Sequence, residues 1–253
     1  MRELFPQGAE DADAAERYAA DERERPDGAP WVVINMIASA DGATAIDGRS
    51  GALGGPADQA VFRALRAVPD VILVAAGTVR DEGYGPVKLS AEARRRRSEA
   101  GRREVPRLAV VSASLGLDPT AALFTDPGLG ADRPLVYTVA AAPEERRRAL
   151  AEVAEVVVAG AERVELSDVI ADLRRRDERV VLCEGGPSLN AQLVADDLVD
   201  ELCLSVAPML VGGASARVAQ GDRSGATPVA PRHLRLDRVL TADDLLFLRY
   251  VRR

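Results

Sequence analysis

Short apolar runs recur along this chain, and each ends in a turn of glycine and small polar residues. Three of these runs are Trp31–Ile37, Asp70–Ala76 and Val180–Cys183. A strand that is covered on both faces forms a continuous apolar segment, whereas a strand with one wet face alternates. Strands of the first kind occur in sheets wrapped by helices. The runs therefore predict an α/β fold around a mostly parallel central sheet.

The segments between the runs carry helix signals. Pro56 opens one such segment, its apolar residues recur at helical spacing, and Pro69 ends it. We expect further strands at residues 107–111, 134–138, 155–158 and 199–207. The last two apolar segments, Leu234–Leu240 and Leu245–Val251, alternate as the strands of an antiparallel hairpin do. The parallel sheet is therefore expected to end in a hairpin.

The charge distribution separates the first thirty residues from the rest. Residues 1–30 hold nine acidic and four basic residues and are rich in Ala, Pro and Gly. Such a composition is typical of a segment that cannot bury enough apolar surface to stay ordered. We expect a flexible acidic arm over residues 1–30 and one domain over residues 31–253.

Composition excludes several classes of function. The net charge of −7 argues against general nucleic-acid binding. The chain has one histidine and no cluster of His and Cys at ligand spacing, so we expect no metal site. No segment reaches the length of a membrane span, and the N-terminus lacks the apolar core of a signal peptide. Both cysteines lie in apolar runs, which favours a cytoplasmic protein.

The stretch Val180–Leu189 has the pattern of a buried strand, a tight turn and a helix start. Adjacent glycines allow close approach of another molecule, and Pro187 suits a first helical turn. The N–H groups of Ser188, Leu189 and Asn190 would then point out of a helix N-terminus, where phosphates bind. Taken alone, the stretch fits an ordinary turn and a phosphate cradle equally well.

Two other turns share the position of this one at a strand end. They are Asn35–Thr44 and Gly77–Arg80, which also follow buried strands. Ligands of open α/β sheets bind beyond the carboxyl ends of the strands. A dinucleotide would fit three such turns, yet no G-x-G-x-x-G opens the first helix. The residues alone thus indicate an enzyme with a phosphate-bearing ligand.

Several segments resemble, in order, the motifs of the pyrimidine reductases of riboflavin biosynthesis. Ser39–Ala45 is similar to the family's S-L-D-G-x-x-A, and Glu184–Leu189 matches its E-G-G-P-x-L. The other matching segments are Ser50–Pro56, Arg63–Ala67, Ala76–Arg80, Leu198–Leu202 and Ala207–Gly213. This family forms the reductase half of a bifunctional deaminase–reductase. The zinc motifs of the deaminase half, H-x-E and P-C-x-x-C, are absent here.

The resemblance implies a dihydrofolate-reductase-like three-layer fold and a reaction. NADPH would reduce a ribosylamino-pyrimidine 5′-phosphate, which turns ribosyl into ribityl. The implied substrate-binding residues are Asn35, Asp41, Ser50, Arg66 and Glu184. Arg66 would contact the phosphate, and Glu184 is the candidate for handling a proton. The implied cofactor-binding residues are Thr44, Ala45, Gly77, Thr78, Glu82, Gly185, Gly186, Pro187, Ser188 and Leu189.

Structural roles stay open for several of these residues. Arg66 could be a solvated cation at a helix end, and Glu82 a surface acid. Asn35 could pair with backbone inside its strand. Asp41 could make the turn by accepting hydrogen bonds from nearby N–H groups.

Two other functions compete with the pyrimidine reductase. The loop Asp81–Pro86 departs from the family pattern, so a dihydrofolate or pteridine reductase of the same fold is one alternative. A non-catalytic NADP-binding relative is the other. Members of the family pair through the antiparallel end of the sheet, so the resemblance also implies a homodimer. The expected binding partner is a small-molecule substrate, with no nucleic acid and no membrane.

Overall fold

A computed structural model describes residues 1–126, 132–221 and 230–253 of the chain. Its elements in chain order are β1 Arg2–Phe5, α1 Ala14–Ala19, β2 Trp31–Ser39, α2 Pro56–Arg66, β3 Val71–Ala75, α3 Ala76–Asp81, α4 Ala91–Glu99, β4 Arg107–Val111, α5 Ala122–Thr125, β5 Leu135–Thr138, α6 Glu144–Ala151, β6 Glu155–Val158, α7 Leu166–Arg175, β7 Val180–Cys183, α8 Pro187–Ala195, β8 Glu201–Ala207, β9 Leu234–Ala242 and β10 Leu245–Arg252. No helix among the described residues is long and apolar enough to cross a membrane.

The chain divides into two compact units, where one domain was expected over residues 31–253. Unit 1 consists of Met1–Arg23, Trp31–Val68 and Cys183–Arg253. Unit 2 consists of Glu24–Pro30 and Pro69–Leu182. Most of unit 2 is thus one long insertion between α2 and the turn after β7, and no linker of distinctive composition marks its ends.

The strands of unit 1 lie in the order β1-β9-β10-β8-β2. β2 and β8 are parallel, with Asn35 opposite Cys203 and Ile37 opposite Ser205. The other three pairings are antiparallel, and β9 and β10 form the hairpin expected at the end of the sheet. Burial alternates residue by residue along β8 and β10, and for β10 this agrees with the alternation predicted for Leu245–Val251.

Helix α2 begins and ends where the sequence predicts. Gly55 is its N-cap, Pro56 fills the first helical position, and Ala67 is the C-cap. Val61 and Leu65 are fully buried, and each side chain contributes about 1.5–3 kcal/mol by leaving water. The opposite side of the helix carries Arg63, which is exposed.

Unit 2 contains the strands β7-β3-β4-β5-β6. The pairings of β3 with β4, β4 with β5 and β5 with β6 are all parallel. The side chains of β3 from Val71 to Val74 are fully buried, so both faces of this strand are covered. This is typical of a parallel strand in an α/β sheet. The predicted α/β class with mostly parallel strands and an antiparallel end is confirmed.

The N-terminal segment is folded, so the expectation of a flexible arm is wrong. β1 pairs with β9, and Asp13 caps α1 by accepting a hydrogen bond from the N–H of Glu16. Tyr18 is fully buried, and Arg23 donates two hydrogen bonds to the buried carboxylate of Glu201. Composition counts the acidic residues of this segment, but it does not show that arginines far along the chain neutralise them.

Candidate active site

The turn after β2 is closed by its own side chains. The N–H of Ser39 donates to the carbonyl of Ala43 at 2.8 Å, and the N–H of Ala43 donates to Ser39 Oγ at 2.9 Å. Gly42 has φ +91°, a conformation that a residue with a Cβ rarely adopts. The turn therefore has one well-defined shape at the carboxyl end of its strand.

Asp41 fixes a second loop against this turn. Its carboxylate accepts hydrogen bonds from Ser39 Oγ at 2.5 Å, from the N–H of Gly212 at 2.7 Å and from the N–H of Val211 at 3.1 Å. The hydroxyl of Ser39 and these two N–H groups lower the pKa of Asp41 to about 2. Asp41 thus has the turn-making role that was kept open for it.

Thr44 and Ala45 hold the next part of the same loop. The N–H and the hydroxyl of Thr44 both donate to the carbonyl of Ala216, at 3.2 and 2.9 Å. Ser215 Oγ lies 3.3 Å from the N of Ala45 and 3.2 Å from its carbonyl oxygen. These polar groups are engaged within the protein, so the implied contact of Thr44 and Ala45 with a cofactor would be made by their remaining surface.

The turn between β7 and α8 depends on its two glycines. Gly185 has φ +84°, and a Cβ placed on it would lie 3.2 Å from the sulfur of Met36. The peptide between Gly185 and Gly186 is cis. Gly186 is the N-cap of α8, and Pro187 is its first residue. The helix start lies where the glycine and proline pattern predicts it, and the close packing on Met36 explains why Gly185 is a glycine.

The start of α8 offers two backbone donors rather than three. The N–H of Asn190 donates to the carbonyl of Gly186 at 3.1 Å, because the N-cap carbonyl accepts the first bond of a helix. The expectation that Asn190 would offer its N–H is therefore wrong. The N–H groups of Ser188 and Leu189 make no hydrogen bond within the described residues.

The side chain of Asn190 has a role that the sequence analysis missed. It is fully buried, accepts a hydrogen bond from the thiol of Cys183 at 3.3 Å, and donates to the carbonyl of Val218 at 2.7 Å. The N–H of Gln220 donates to the carbonyl of Pro187 at 3.0 Å. The side chain of Asn190 thus helps to hold the loop 215–221 against the first turn of α8. In the sequence, the only sign of this role is a polar amide within an apolar helical segment.

Arg66 and Glu184, which were predicted separately, form one bidentate ion pair. Arg66 Nε donates to Glu184 Oε1 at 2.8 Å, and Nη2 donates to Oε2 at 2.7 Å. The side chains are 15% and 4% exposed. The guanidinium also stacks on Phe62, 4.1 Å from the ring centre. Arg66 is therefore no solvated helix-end cation; it is a fixed group beside the Gly-Gly turn.

Asn35 and Ser50 are half-buried and stay predicted contacts of the substrate. Asn35 lies on β2 next to Met36, so its side chain projects from the opposite face of the strand to that of Met36, which contacts Gly185. Its amide makes no hydrogen bond with the part of the chain that is described. Ser50 lies in the loop before α2, where its carbonyl accepts from the N–H of Leu53 at 3.0 Å.

Gly77, Thr78 and Glu82 belong to unit 2, at the carboxyl end of β3. α3 begins at Ala76, so Gly77 and Thr78 lie inside the helix rather than in a turn before it. Glu82 is the C-cap of this short helix, and its N–H donates to the carbonyl of Thr78 at 3.0 Å. Thr78 therefore does not cap the helix that follows β3.

Asp58 is a further charged residue in unit 1 that the sequence analysis did not select. It lies in the first turn of α2 and is half-buried. Burial raises the pKa of its carboxyl group, although the hydroxyl of Ser205 opposes this by donating a hydrogen bond. An acid in a first helical turn is common, so no sequence signal distinguished it.

These motifs and this fold match one family along most of the chain. The model of the RibD C-terminal domain family matches residues 30–246, and the chain belongs to this family. The resemblance drawn from the motifs is therefore confirmed.

Two curated relatives and one solved structure are similar over most of their lengths. The 2,5-diamino-6-ribosylamino-4(3H)-pyrimidinone 5′-phosphate reductase of Archaeoglobus fulgidus is 35% identical over 76% of this chain and 87% of its own. The protein of the same name from Methanothermobacter thermautotrophicus is 31% identical over 87% of this chain and 97% of its own. A pyrimidine reductase-like protein of Corynebacterium diphtheriae superposes with a TM-score of 0.84 at 28% identity, over 95% of this chain and 98% of its own.

Proposed function

We propose that this protein is a reductase of riboflavin biosynthesis that acts on 2,5-diamino-6-ribosylamino-4(3H)-pyrimidinone 5′-phosphate and uses NADPH. The observation that carries the proposal is the 35% identity to a reductase of that name over most of both chains. The ordered motifs at Ser39–Ala45 and Glu184–Leu189 support it, because both lie in the unit 1 site. The substrate is a small molecule, and no nucleic acid or membrane takes part.

The start of α8 has the features that a pyrophosphate requires. Gly185 and Gly186 leave room for close approach, and the N–H groups of Ser188 and Leu189 point out of the positive end of a nine-residue helix. When bound, NADPH supplies the hydride that turns C1′ of the open-chain imine into CH2, while the imine nitrogen takes up a proton. Gly77, Thr78 and Glu82 stay predicted cofactor contacts.

The ion pair of Arg66 and Glu184 acts as one rigid group toward the substrate. Two N–H edges of Arg66 go to Glu184, so the carboxylate fixes the plane of the guanidinium. Both oxygens of the Glu184 carboxylate accept a hydrogen bond from Arg66. We therefore assign Glu184 to positioning Arg66 and the substrate, and it stays the predicted candidate for handling a proton. Catalysis then rests on proximity and charge complementarity.

The two free cysteines accord with a cytoplasmic enzyme. Cys183 and Cys203 are buried and form no disulfide. A reducing compartment suits both these thiols and an NADPH-dependent reaction.

A spectrophotometric assay tests the proposed reaction. Purified protein and NADPH are mixed in turn with the diaminopyrimidinone ribosylamino phosphate and with dihydrofolate, and absorbance of NADPH is followed. We expect oxidation with the pyrimidine alone. Oxidation with dihydrofolate alone would replace the proposal by a pteridine reductase. Binding of NADPH without turnover of either compound would favour the non-catalytic alternative.

We further propose that the protein is a homodimer joined through one face of β8 and β10. Apolar residues that are opposite each other in the register share this face, and all are partly exposed, with Leu246 at 38%. They are Leu202, Leu204, Val206, Leu246, Leu248 and Tyr250. A continuous apolar sheet face of this kind is typical of a protein interface.

Sedimentation measures this association. We expect the mass of a dimer for the natural chain and of a monomer for Leu246→Arg. Val158→Arg, which changes an exposed apolar residue of β6, is the matched control and should leave the dimer intact. A natural chain that sediments as a monomer at micromolar concentration contradicts the interface.

A further inference from the structure

The loop 215–221 forms neither helix nor strand, and its start is bonded to the loop after β2. The carbonyl of Ala216 accepts hydrogen bonds from the N–H and the hydroxyl of Thr44, at 3.2 and 2.9 Å. Ser215 Oγ lies 3.3 Å from the N of Ala45 and 3.2 Å from its carbonyl oxygen. The start of the loop is therefore fixed to two residues that are implied to contact the cofactor.

The end of the same loop is bonded to the first turn of α8. The N–H of Gln220 donates to the carbonyl of Pro187 at 3.0 Å. Nδ2 of Asn190 donates to the carbonyl of Val218 at 2.7 Å. The loop 215–221 thus connects two parts of unit 1 that the resemblance assigns to one cofactor, namely the loop after β2 and the glycine turn before α8.

Asn190 is the buried anchor of this connection. Its side chain is fully buried, and its Oδ1 accepts a hydrogen bond from the thiol of Cys183 at 3.3 Å. Burial raises the pKa of Cys183 to about 12, so the thiol keeps its proton and donates at neutral pH. A backbone carbonyl only accepts, so the carbonyl of Val218 requires the NH2 group of the amide. An apolar side chain at this position would leave both of these partners without their hydrogen bond.

Asn190 also fixes the turn from which the pyrophosphate donors arise. A Cβ placed on Gly185 would lie 3.8 Å from Asn190 Nδ2, so the amide packs directly against this turn. The N–H of Asn190 donates to the carbonyl of Gly186 at 3.1 Å. Ser188 and Leu189, whose N–H groups would bind the pyrophosphate, lie between these two bonded residues. Donors that are held in place before a ligand arrives bind it more tightly, since no ordering is needed on binding.

We propose that Asn190 is a positioning residue for the dinucleotide cofactor. By holding the loop 215–221, it fixes the spacing between the start of α8, which would bind the pyrophosphate, and Thr44, which would lie along the nicotinamide half. In this role Asn190 acts through the loop and does not touch the reacting atoms. The inference rests on the proposed function, because both parts of the site are assigned there to NADPH.

Asn190→Leu tests this role, since leucine keeps the branched shape of asparagine and removes its polar atoms. The Kd for NADP+ is measured by calorimetry, so no turnover is needed. We expect the Kd to rise by about tenfold, because buried polar groups lose their partner and the loop is released. Gln192→Leu, which removes an exposed amide from the same helix, is the matched control and should leave the Kd unchanged. An unchanged Kd in Asn190→Leu overturns the inference.

Hydrogen exchange shows whether the effect passes along the loop. The N–H of Thr44 is bonded to Ala216, so it reports on the end of the loop opposite to Asn190. We expect Asn190→Leu to speed exchange of this N–H by on the order of tenfold, while the N–H of Leu65 inside α2 keeps its rate. A purely local packing role would speed exchange within α8 alone, and that result contradicts the inference.

Turnover separates this inference from the proposed function. A chain whose Kd for NADP+ depends on Asn190 as expected, but which reduces no pyrimidine, supports the inference and contradicts the proposed reaction. A chain that reduces the pyrimidine with an unchanged KM for NADPH in Asn190→Leu contradicts the inference alone. Should this variant fold poorly, Ser215→Ala, which releases the other end of the loop, should raise the Kd for NADP+ by about threefold. No rise in that variant contradicts the inference as well.

Discussion

Unit 1 contains two glutamates that arginine holds by bidentate hydrogen bonds, and they differ in what surrounds them. Glu184 accepts two hydrogen bonds from Arg66. Glu201 receives two bonds from Arg249, at 2.9 and 3.0 Å, and two more from Arg23 at 2.9 and 3.0 Å. The same bidentate hydrogen bonding therefore occurs once beside the Gly-Gly turn and once at the centre of a buried cluster.

The cluster around Glu201 is enclosed and joins distant parts of the chain. The carboxylate is 0% exposed and also accepts a bond from Trp31 Nε1 at 3.1 Å. Asp21 accepts from Arg238 at 2.6 Å, so the N-terminal segment is tied to β8, β9 and β10. Burial would raise the pKa of Glu201, but the charges of Arg23 and Arg249 outweigh it and lower this pKa to about 2.

The comparison separates an ion-pair cluster that we expect to stabilise the fold from an ion pair that we expect to bind substrate. Every oxygen of Glu201 is satisfied within the protein, and no surface is left for a ligand. Arg66 keeps 15% of its side chain exposed and lies beside the glycine turn of α8. We therefore expect changes at Glu201 to affect folding and changes at Arg66 to affect substrate.

The largest effect is expected from Glu201→Ala. It leaves Arg23 and Arg249 buried without their main partner, which costs about 3–5 kcal/mol of unfolding free energy. Urea unfolding followed by fluorescence of Trp31, the only tryptophan, measures this loss. Glu144→Ala, which breaks an exposed pair with Arg148, is the control and should cost less than about 0.5 kcal/mol. A loss at Glu201 as small as that of the control would contradict the structural role.

The pH dependence of stability should show the same cluster. Because the pKa of Glu201 is lowered from 4.5 to about 2 by folding, its contribution is fully present above pH 4.5 and is lost as the pH falls through this window. The shift corresponds to on the order of 3 kcal/mol. Urea midpoints measured from pH 6 to pH 2 should fall in the natural chain and fall less in Glu201→Gln. Parallel curves for the two proteins would argue against this origin.

One substitution made at both pairs separates their roles. Arg66→Lys and Arg249→Lys keep the charge but lose the bidentate geometry. We expect Arg66→Lys to lower kcat/KM by about 10–100-fold with nearly unchanged stability, and Arg249→Lys to do the reverse, with about 1–3 kcal/mol lost. Steady-state kinetics and urea unfolding of both variants provide the test. Equal effects at the two sites would remove the distinction.

The sequence predicted the elements of the fold better than it predicted these pairs. Continuous apolar runs identified β2, β3 and β7, because burial on both faces leaves a local signature. Arg66 and Glu184 were each selected through motifs, but they lie 118 positions apart, and no local pattern shows that they pair. The N-terminal segment was misjudged for the same reason, since its Asp21 pairs with Arg238 and Arg249 from the other end of the chain.

Asp58 and Asp41 show the limit at the level of single carboxylates. Asp41 directly precedes Gly42, and Asp58 lies three residues after Gly55. The sequence favoured Asp41 because a family motif contains it. The structure gives Asp41 three hydrogen bonds within the protein and leaves Asp58 without a cation in the described residues. Whether a carboxylate is satisfied depends on tertiary contacts, which motif and composition do not report.

The smallest effect is expected from Asp41→Asn, which tests the loop rather than either ion pair. The amide can accept only one of the two backbone N–H bonds from Val211 and Gly212 through its oxygen, so the loop 207–213 should loosen. Because Asp41 is exposed, we expect unchanged stability and a rise of less than about tenfold in the Kd for NADPH. Glu144→Ala, which breaks only an exposed ion pair outside the candidate site, serves as the control. Since the pKa of Asp41 is about 2, the natural loop should stay intact throughout the neutral range, and a Kd that varies near neutral pH must arise from another group.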